Sequence, residues 1–149
     1  MCCFFNDITA EEIKQSHGKA DLISVANVHF PNINEVAKGV AMLLKDNGVF
    51  VFENPYLGNV IKNVAYDQIY DEHSFIFGLN SVSYVFRREG FEVFRVEAQE
   101  THGGSMRYYL CNKGTHGKNA HDFSPGYTAL CTLDGKTYTI ELKMHELKK

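Results

Sequence analysis

The sequence predicts an α/β domain, a mostly parallel sheet with flanking helices, followed by a C-terminal β-hairpin. Three observations carry that expectation. An apolar run, an amphipathic stretch and a second apolar run follow one another between Asp21 and Glu53. A further helix-then-strand pattern lies between Asn80 and Glu97. Near the C-terminus, Asp134-Gly135 separates two strand-like runs.

Asp21-Leu22-Ile23-Ser24-Val25-Ala26 is the kind of short apolar run found in parallel strands buried on both faces. Ile33, Val36, Ala37, Val40, Leu43 and Leu44 then recur at helical spacing, which predicts an amphipathic helix from about Asn34 to Lys45. Asp46-Asn47-Gly48 supplies the stop, because Gly and Asn tolerate the left-handed conformation at a helix end. Val49-Phe50-Val51-Phe52 reads as a second buried strand. Strand, helix and strand at this spacing make a βαβ unit with a right-handed crossover.

In the second unit Asn80 is placed to cap a helix from Ser81 to about Glu89, ended by Gly90. Phe91 to Glu97 alternates as a strand, and Met106 to Cys111 is a further candidate. Between Phe52 and that helix runs a long connection with little periodicity and many aromatic residues, which marks it as functional rather than disordered. Residues 1–113 therefore read as one α/β unit and 114–149 as a loop and hairpin tail. Tyr127–Leu133 and Lys136–Leu142 flank the two-residue turn expected of a type I′ hairpin.

The chain has 149 residues, the size of one domain, and its 44% apolar and 22% charged residues make an ordinary globular balance. A net charge of −3 and no basic run longer than Arg87-Arg88 argue against a nucleic-acid partner. No stretch approaches the roughly 20 apolar residues of a membrane span, so no membrane partner is expected. The N-terminus lacks a charged segment followed by an apolar one, and the four cysteines are too few and too irregular for a disulfide framework. A cytoplasmic protein with reduced thiols is the expectation, with Cys111 as small core filler.

The long connection holds Asp67-Gln68-Ile69-Tyr70-Asp71-Glu72-His73. In doubly wound folds ligands sit outside the carboxyl ends of the parallel strands, which is where this segment must lie. Tyr70 and His73 are three apart, so one helical turn sets phenol beside imidazole. Such a pair can remove a proton and polarise a carbonyl, with Asp71 and Glu72 placed to orient the imidazole. By spacing alone a Tyr-x-x-His pair is more often structural than catalytic. Thr101-His102-Gly103-Gly104-Ser105-Met106-Arg107 stands between two predicted strands. Its glycines permit close backbone approach to a ligand, and His102, Ser105 and Arg107 offer donors to hydroxyls or phosphates. A tight connection with polar decoration fits the same residues.

Four motifs in order then bring a family into view. They are Gly18-Lys19-Ala20-Asp21-Leu22-Ile23 with Ala26-Asn27-Val28, then Leu43-Leu44-Lys45-Asp46-Asn47-Gly48-Val49-Phe50. Glu53-Asn54-Pro55-Tyr56-Leu57 and, at the end, His102-Gly103-Gly104-Ser105-Met106-Arg107 complete the set. With these the chain resembles the sugar C-methyltransferase family, over roughly residues 4–112 and in the part downstream of the cofactor glycine loop.

The resemblance implies an incomplete class I methyltransferase fold, Rossmann-like, with S-adenosylmethionine as cofactor and a nucleotide-linked ketosugar as substrate. It implies that a carbon next to the ketone loses its proton and the enolate attacks the sulfonium methyl. Tyr70 and His73 take the acid–base work, with His73 the base because imidazole exchanges its proton near neutral pH. Glu72 holds the imidazole. Tyr56, His102, Ser105 and Arg107 meet the substrate. Ala10 and Asn27 map onto cofactor contacts next to the ends of the preceding strands, with Phe4-Phe5 about where the family's third strand stands.

The chain also departs from the family. It has no glycine-rich cofactor turn followed by an acidic ribose ligand, and no N-terminal zinc-binding cysteine domain, so no metal is expected. Between Asn27 and His29 it is two residues short of the family spacing. A half-sheet of this kind exposes an apolar edge, which predicts a homo-oligomer or a partner chain that completes the sheet. A non-catalytic methyltransferase remnant, or a module that only binds a sugar nucleotide, stands as the alternative.

Overall fold

The computed structural model describes residues 5–26, 31–70 and 73–115, together with the backbone of two strands nearer the C-terminus, Thr128–Leu133 and Lys136–Glu141. The chain opens with α1 (Asp7–His17) and continues through β1 (Ala20–Ala26), α2 (Ile33–Leu43) and β2 (Leu44–Pro55). A short α3 (Leu57–Asn63) and a 3-10 turn at Tyr66–Gln68 follow, then α4 (Leu79–Arg87), β3 (Phe91–Gln99) and β4 (Ser105–Asn112). β5 (Thr128–Leu133) and β6 (Lys136–Glu141) pair as an antiparallel hairpin.

All six strands form one sheet in the order β1-β2-β4-β3-β5-β6. β1 and β2 are parallel, and β4 pairs antiparallel with both β2 and β3, so β3 runs with β1 and β2. An antiparallel strand thus sits between two parallel ones. The hairpin meets β3 through a single parallel pairing, Val96 with Cys131. Among the described residues no helix is long and apolar enough to cross a membrane.

Alternation along β2 and β4 decides where the core lies. Phe50, Phe52, Tyr108 and Leu110 point to one face, where α2 brings Val36, Ala37 and Val40 and α4 brings Val82 and Phe86. Phe52 stacks on Tyr108 at 4.8 Å between ring centroids and on Phe50 at 5.5 Å, and Phe86 closes on both from α4. Offset aromatic contacts of this kind each add about 1 kcal/mol beyond area burial. Cys111 is fully buried, as core filler should be.

Several local expectations need correcting. From Asp7 the chain is the helix α1, while Phe4, expected near a strand, lies outside the described residues. Asn6 caps it by accepting from the Thr9 N–H at 2.9 Å, and its own N–H donates to Thr9 Oγ1 at 2.9 Å. Ala10 lies on the buried side of that helix, wholly inaccessible. β1 is not buried on both faces. It is an edge strand, with Ile23 and Val25 turned to the core and Leu22 left 61% exposed.

The end of α2 differs too. Leu44 turns directly into extended backbone, and Asp46-Asn47-Gly48 lies within β2 at the irregularity where pairing jumps from Ala20–Leu44 to Leu22–Val49. Gly48 is needed there for closeness and not for a left-handed turn: a Cβ would come within 2.8 Å of Leu44 Cγ and 3.1 Å of the Asp21 carbonyl oxygen. Asn80 lies inside the first turn of α4. The cap is Gly78, whose N–H donates to Ser81 Oγ at 3.0 Å.

Candidate active site at the carboxyl end of β2

β1 and β2 end side by side, with Ala26 paired to Glu53. Beyond that level the chain leaves β2 through Tyr56, whose N–H donates to the Gly104 carbonyl at 3.2 Å. Tyr56 also bridges to Phe77, and the Leu57 N–H donates to the Phe77 carbonyl at 2.9 Å. These bonds draw both ends of the long connection to the mouth of the sheet. Tyr56 is half-buried there.

The structure brings Tyr70 and His73 together. Tyr70 Oη lies 3.1 Å from His73 Nε2, and the rings are 4.1 Å apart at their centroids. The His73 N–H also donates to the Tyr70 carbonyl at 2.9 Å. His73 Nδ1 lies 2.7 Å from the Gln68 carbonyl oxygen. A carbonyl can only accept, so the hydrogen-bond pattern assigns the imidazole proton to Nδ1 and leaves Nε2 to accept from the phenol. Tyr70 is 44% exposed while His73 stands half-buried behind it. Proton donor, proton acceptor and a fixed tautomer are therefore in place. Asp71 and Glu72 lie outside the described residues, as do Asn27 and His29.

The His-Gly-Gly segment is a strained turn. His102 takes a left-handed φ of 51°, a conformation uncommon for a residue with a side chain, and its imidazole is exposed. Gly104, at φ 118°, packs against α3: a Cβ would fall 2.2 Å from Asn59 Nδ2. The close approach that this glycine permits is to a helix of the same chain. Asn63 Nδ2 donates to the Gly103 carbonyl at 3.3 Å, a second tie to α3.

Ser105 is fully buried, and its hydroxyl donates to the Thr101 carbonyl at 3.0 Å. Arg107 holds Glu53, with Nη2 at 2.8 Å and Nε at 3.1 Å from Oε2. Glu53 Oε1 accepts from Thr101 Oγ1 at 2.7 Å. On the far side Arg107 Nη1 stands 3.8 Å from Glu97, which also accepts from Tyr109 at 2.7 Å. Of the residues expected to meet ligand, Ser105 and Arg107 thus have partners within the protein. Glu53 and Thr101 stood in the quoted motifs without a role of their own, and Asn59 and Asn63 were not singled out from the sequence.

No family model matches the chain. It is 38% identical over 104 residues, 68% of its length, to the C-methyltransferase NovU of Streptomyces niveus. Over that stretch the chain is similar to that C-methyltransferase. It spans about a quarter of that curated relative's length. A solved SAM-dependent methyltransferase of Anabaena variabilis aligns over 73% of this chain and 56% of its own, with a TM-score of 0.52 and 14% identity. At that identity the likeness is one of fold alone, the Rossmann-like sheet and flanking helices of that SAM-dependent methyltransferase.

Proposed function

We propose that this chain provides the substrate side of an S-adenosylmethionine-dependent C-methyltransferase acting on a nucleotide-linked ketosugar. Its task is to remove a proton from the carbon next to the ketone. The observation that carries the reading is the Tyr70–His73 pair, with its tautomer set by the Gln68 carbonyl. The exposed phenol faces outward, so Tyr70 Oη takes the carbon-bound proton as its own passes to His73 Nε2. The product is an enolate and an imidazolium whose Nδ1–H stays on Gln68. His73 is thus the final base and Tyr70 the group in contact, with Glu72 supporting the imidazolium. His102 and Tyr56 meet the sugar nucleotide, and Ser105 and Arg107 shape the loop behind them.

S-adenosylmethionine supplies the methyl group in this reading. Ala10 is fully buried under the α1–α2 contact and presents nothing to a ligand. In this reading a partner chain pairs with β1, beyond which no described strand follows, and completes the cofactor site, and the assembly works in the cytoplasm.

Proton removal can be tested without the methyl donor. Thymidine diphosphate 4-keto-6-deoxyglucose in D2O exchanges the hydrogens next to its ketone, and NMR follows that exchange. We expect the chain to accelerate it, and His73→Ala and Tyr70→Phe each to slow it by about 100-fold or more, the usual worth of a positioned acid–base group. No acceleration over buffer by the folded protein sinks the catalytic reading and leaves a sugar-nucleotide-binding module or a remnant. A calorimetric titration with S-adenosylhomocysteine then tells whether an assembly of this chain alone holds the cofactor.

A further inference from the structure

Glu53 has no role in the chemistry above, yet it is a carboxylate only 6% exposed. A buried charge is costly unless paired and fully hydrogen-bonded. Here both oxygens are engaged. Oε2 receives Arg107 from the neighbouring strand, and Oε1 receives the Thr101 hydroxyl from the loop. Ser105 ties the other end of the loop back to the Thr101 carbonyl, and the Gly104 N–H donates to that same carbonyl at 3.0 Å. Asn63 and Tyr56 grip the carbonyls of Gly103 and Gly104. None of these bonds uses the His102 imidazole, and those to Thr101, Gly103 and Gly104 fix the loop on which it stands. Strain of the kind His102 shows persists only where surrounding contacts over-determine the conformation, and it gathers at ligand-binding positions.

We propose that Glu53 is a positioning residue. Through Thr101 it latches the loop to the end of β2 and holds His102 in the left-handed conformation that presents its imidazole to the nucleotide-linked sugar. The inference rests on the substrate reading proposed above. It adds to that reading a residue that touches no ligand and acts through the hydroxyl of Thr101.

Thr101→Val is the discriminating variant, because it removes the latch and leaves the Glu53–Arg107 pair in place; Thr101→Ser restores the hydroxyl. Amide exchange read by NMR reports the loop, and titration with thymidine diphosphate glucose and uridine diphosphate glucose reports the site. We expect Thr101→Val to speed exchange at His102 and Gly103 about tenfold, as loss of a charged hydrogen bond allows, with the amides of β2 and β4 unchanged. Binding of the nucleotide sugar falls by a similar factor, His102→Ala loses as much, and Thr101→Ser recovers both readouts. Unchanged loop exchange in Thr101→Val overturns the latch. Faster exchange with wild-type binding overturns the positioning role while the substrate reading stands. If the wild type binds neither nucleotide sugar, the substrate reading fails and the positioning role falls with it, whatever the loop does.

Discussion

Tyr108 is fully buried against Phe52, and among the described residues its hydroxyl has no hydrogen-bond partner. A buried polar atom left unpaired gives up its water without compensation, at a cost of about 1–3 kcal/mol. Tyr108→Phe keeps the ring and removes the orphan, so we expect the variant to be as stable as the wild type or about 1 kcal/mol more so in urea unfolding at neutral pH. A clear loss of stability would mean that the hydroxyl is paired in solution. Burial, and after it the neighbouring Tyr56 phenol, push the Tyr108 hydroxyl above the usual tyrosine range. With the folded value raised, the stability tied to this group is intact below the unfolded value near 10 and drains away as pH climbs toward the folded one. The same unfolding series above pH 10 therefore separates the two proteins further, with Phe the more resistant. Glu53 is the contrast. It is nearly as buried, yet three donors reach it.

α1 shows what a sequence reading by apolar period overlooks. Only Thr9 and Ala10 are buried along it, so it carries almost no stripe to recognise. Its punctuation was nevertheless visible: Asn6 and Thr9 at capping-box spacing, and Gly18 at the far end with φ 79°. Asn6→Ala should cost about 1 kcal/mol of stability in thermal or denaturant unfolding, the usual worth of such a cap. A smaller loss would show that packing of α1 on α2 holds the helix unaided. α2 and the hairpin were legible for the opposite reason, since each announces itself within a few residues through Ile33 to Leu43 and through Asp134-Gly135. The closeness of Tyr70 and His73 was legible by spacing. The Glu53 network was not, because its partners Thr101 and Arg107 stand 48 and 54 residues away and meet it only once β4 has inserted beside β2. An exposed apolar edge was expected, but that β1 forms it was not legible, on similar grounds. An apolar run says that a strand is buried somewhere, and only strand order says on which side its neighbour is absent.

That strand order governs the behaviour of the whole molecule. β1 closes the sheet on one side, and beyond it no described strand follows, so a row of backbone donors and acceptors faces outward. Soluble proteins blunt such edges with charge, proline or a covering element. Here charge guards only one end: Lys45 pairs with Asp21 at 2.8 Å and Lys19 with Asp46 at 3.6 Å. Leu22 is exposed beside that guard, and from Ile23 to Ala26 the strand carries no charge. Two such edges brought together by a two-fold axis pair antiparallel, each strand serving as the other's neighbour, in the self-complementary manner of most dimers. We therefore expect the isolated chain to associate through β1, with sedimentation velocity reporting a species heavier than the monomer that grows with concentration. Leu22→Lys places a charge on the edge and should return the protein to monomer without altering α2, β2 or the core they share. A companion chain that supplies the adjoining strand would compete for the same edge and dissolve the self-association. A wild type that sediments as a monomer at every concentration and melts in one sharp transition would sink the proposal, because it would mean that this edge is stable in water alone.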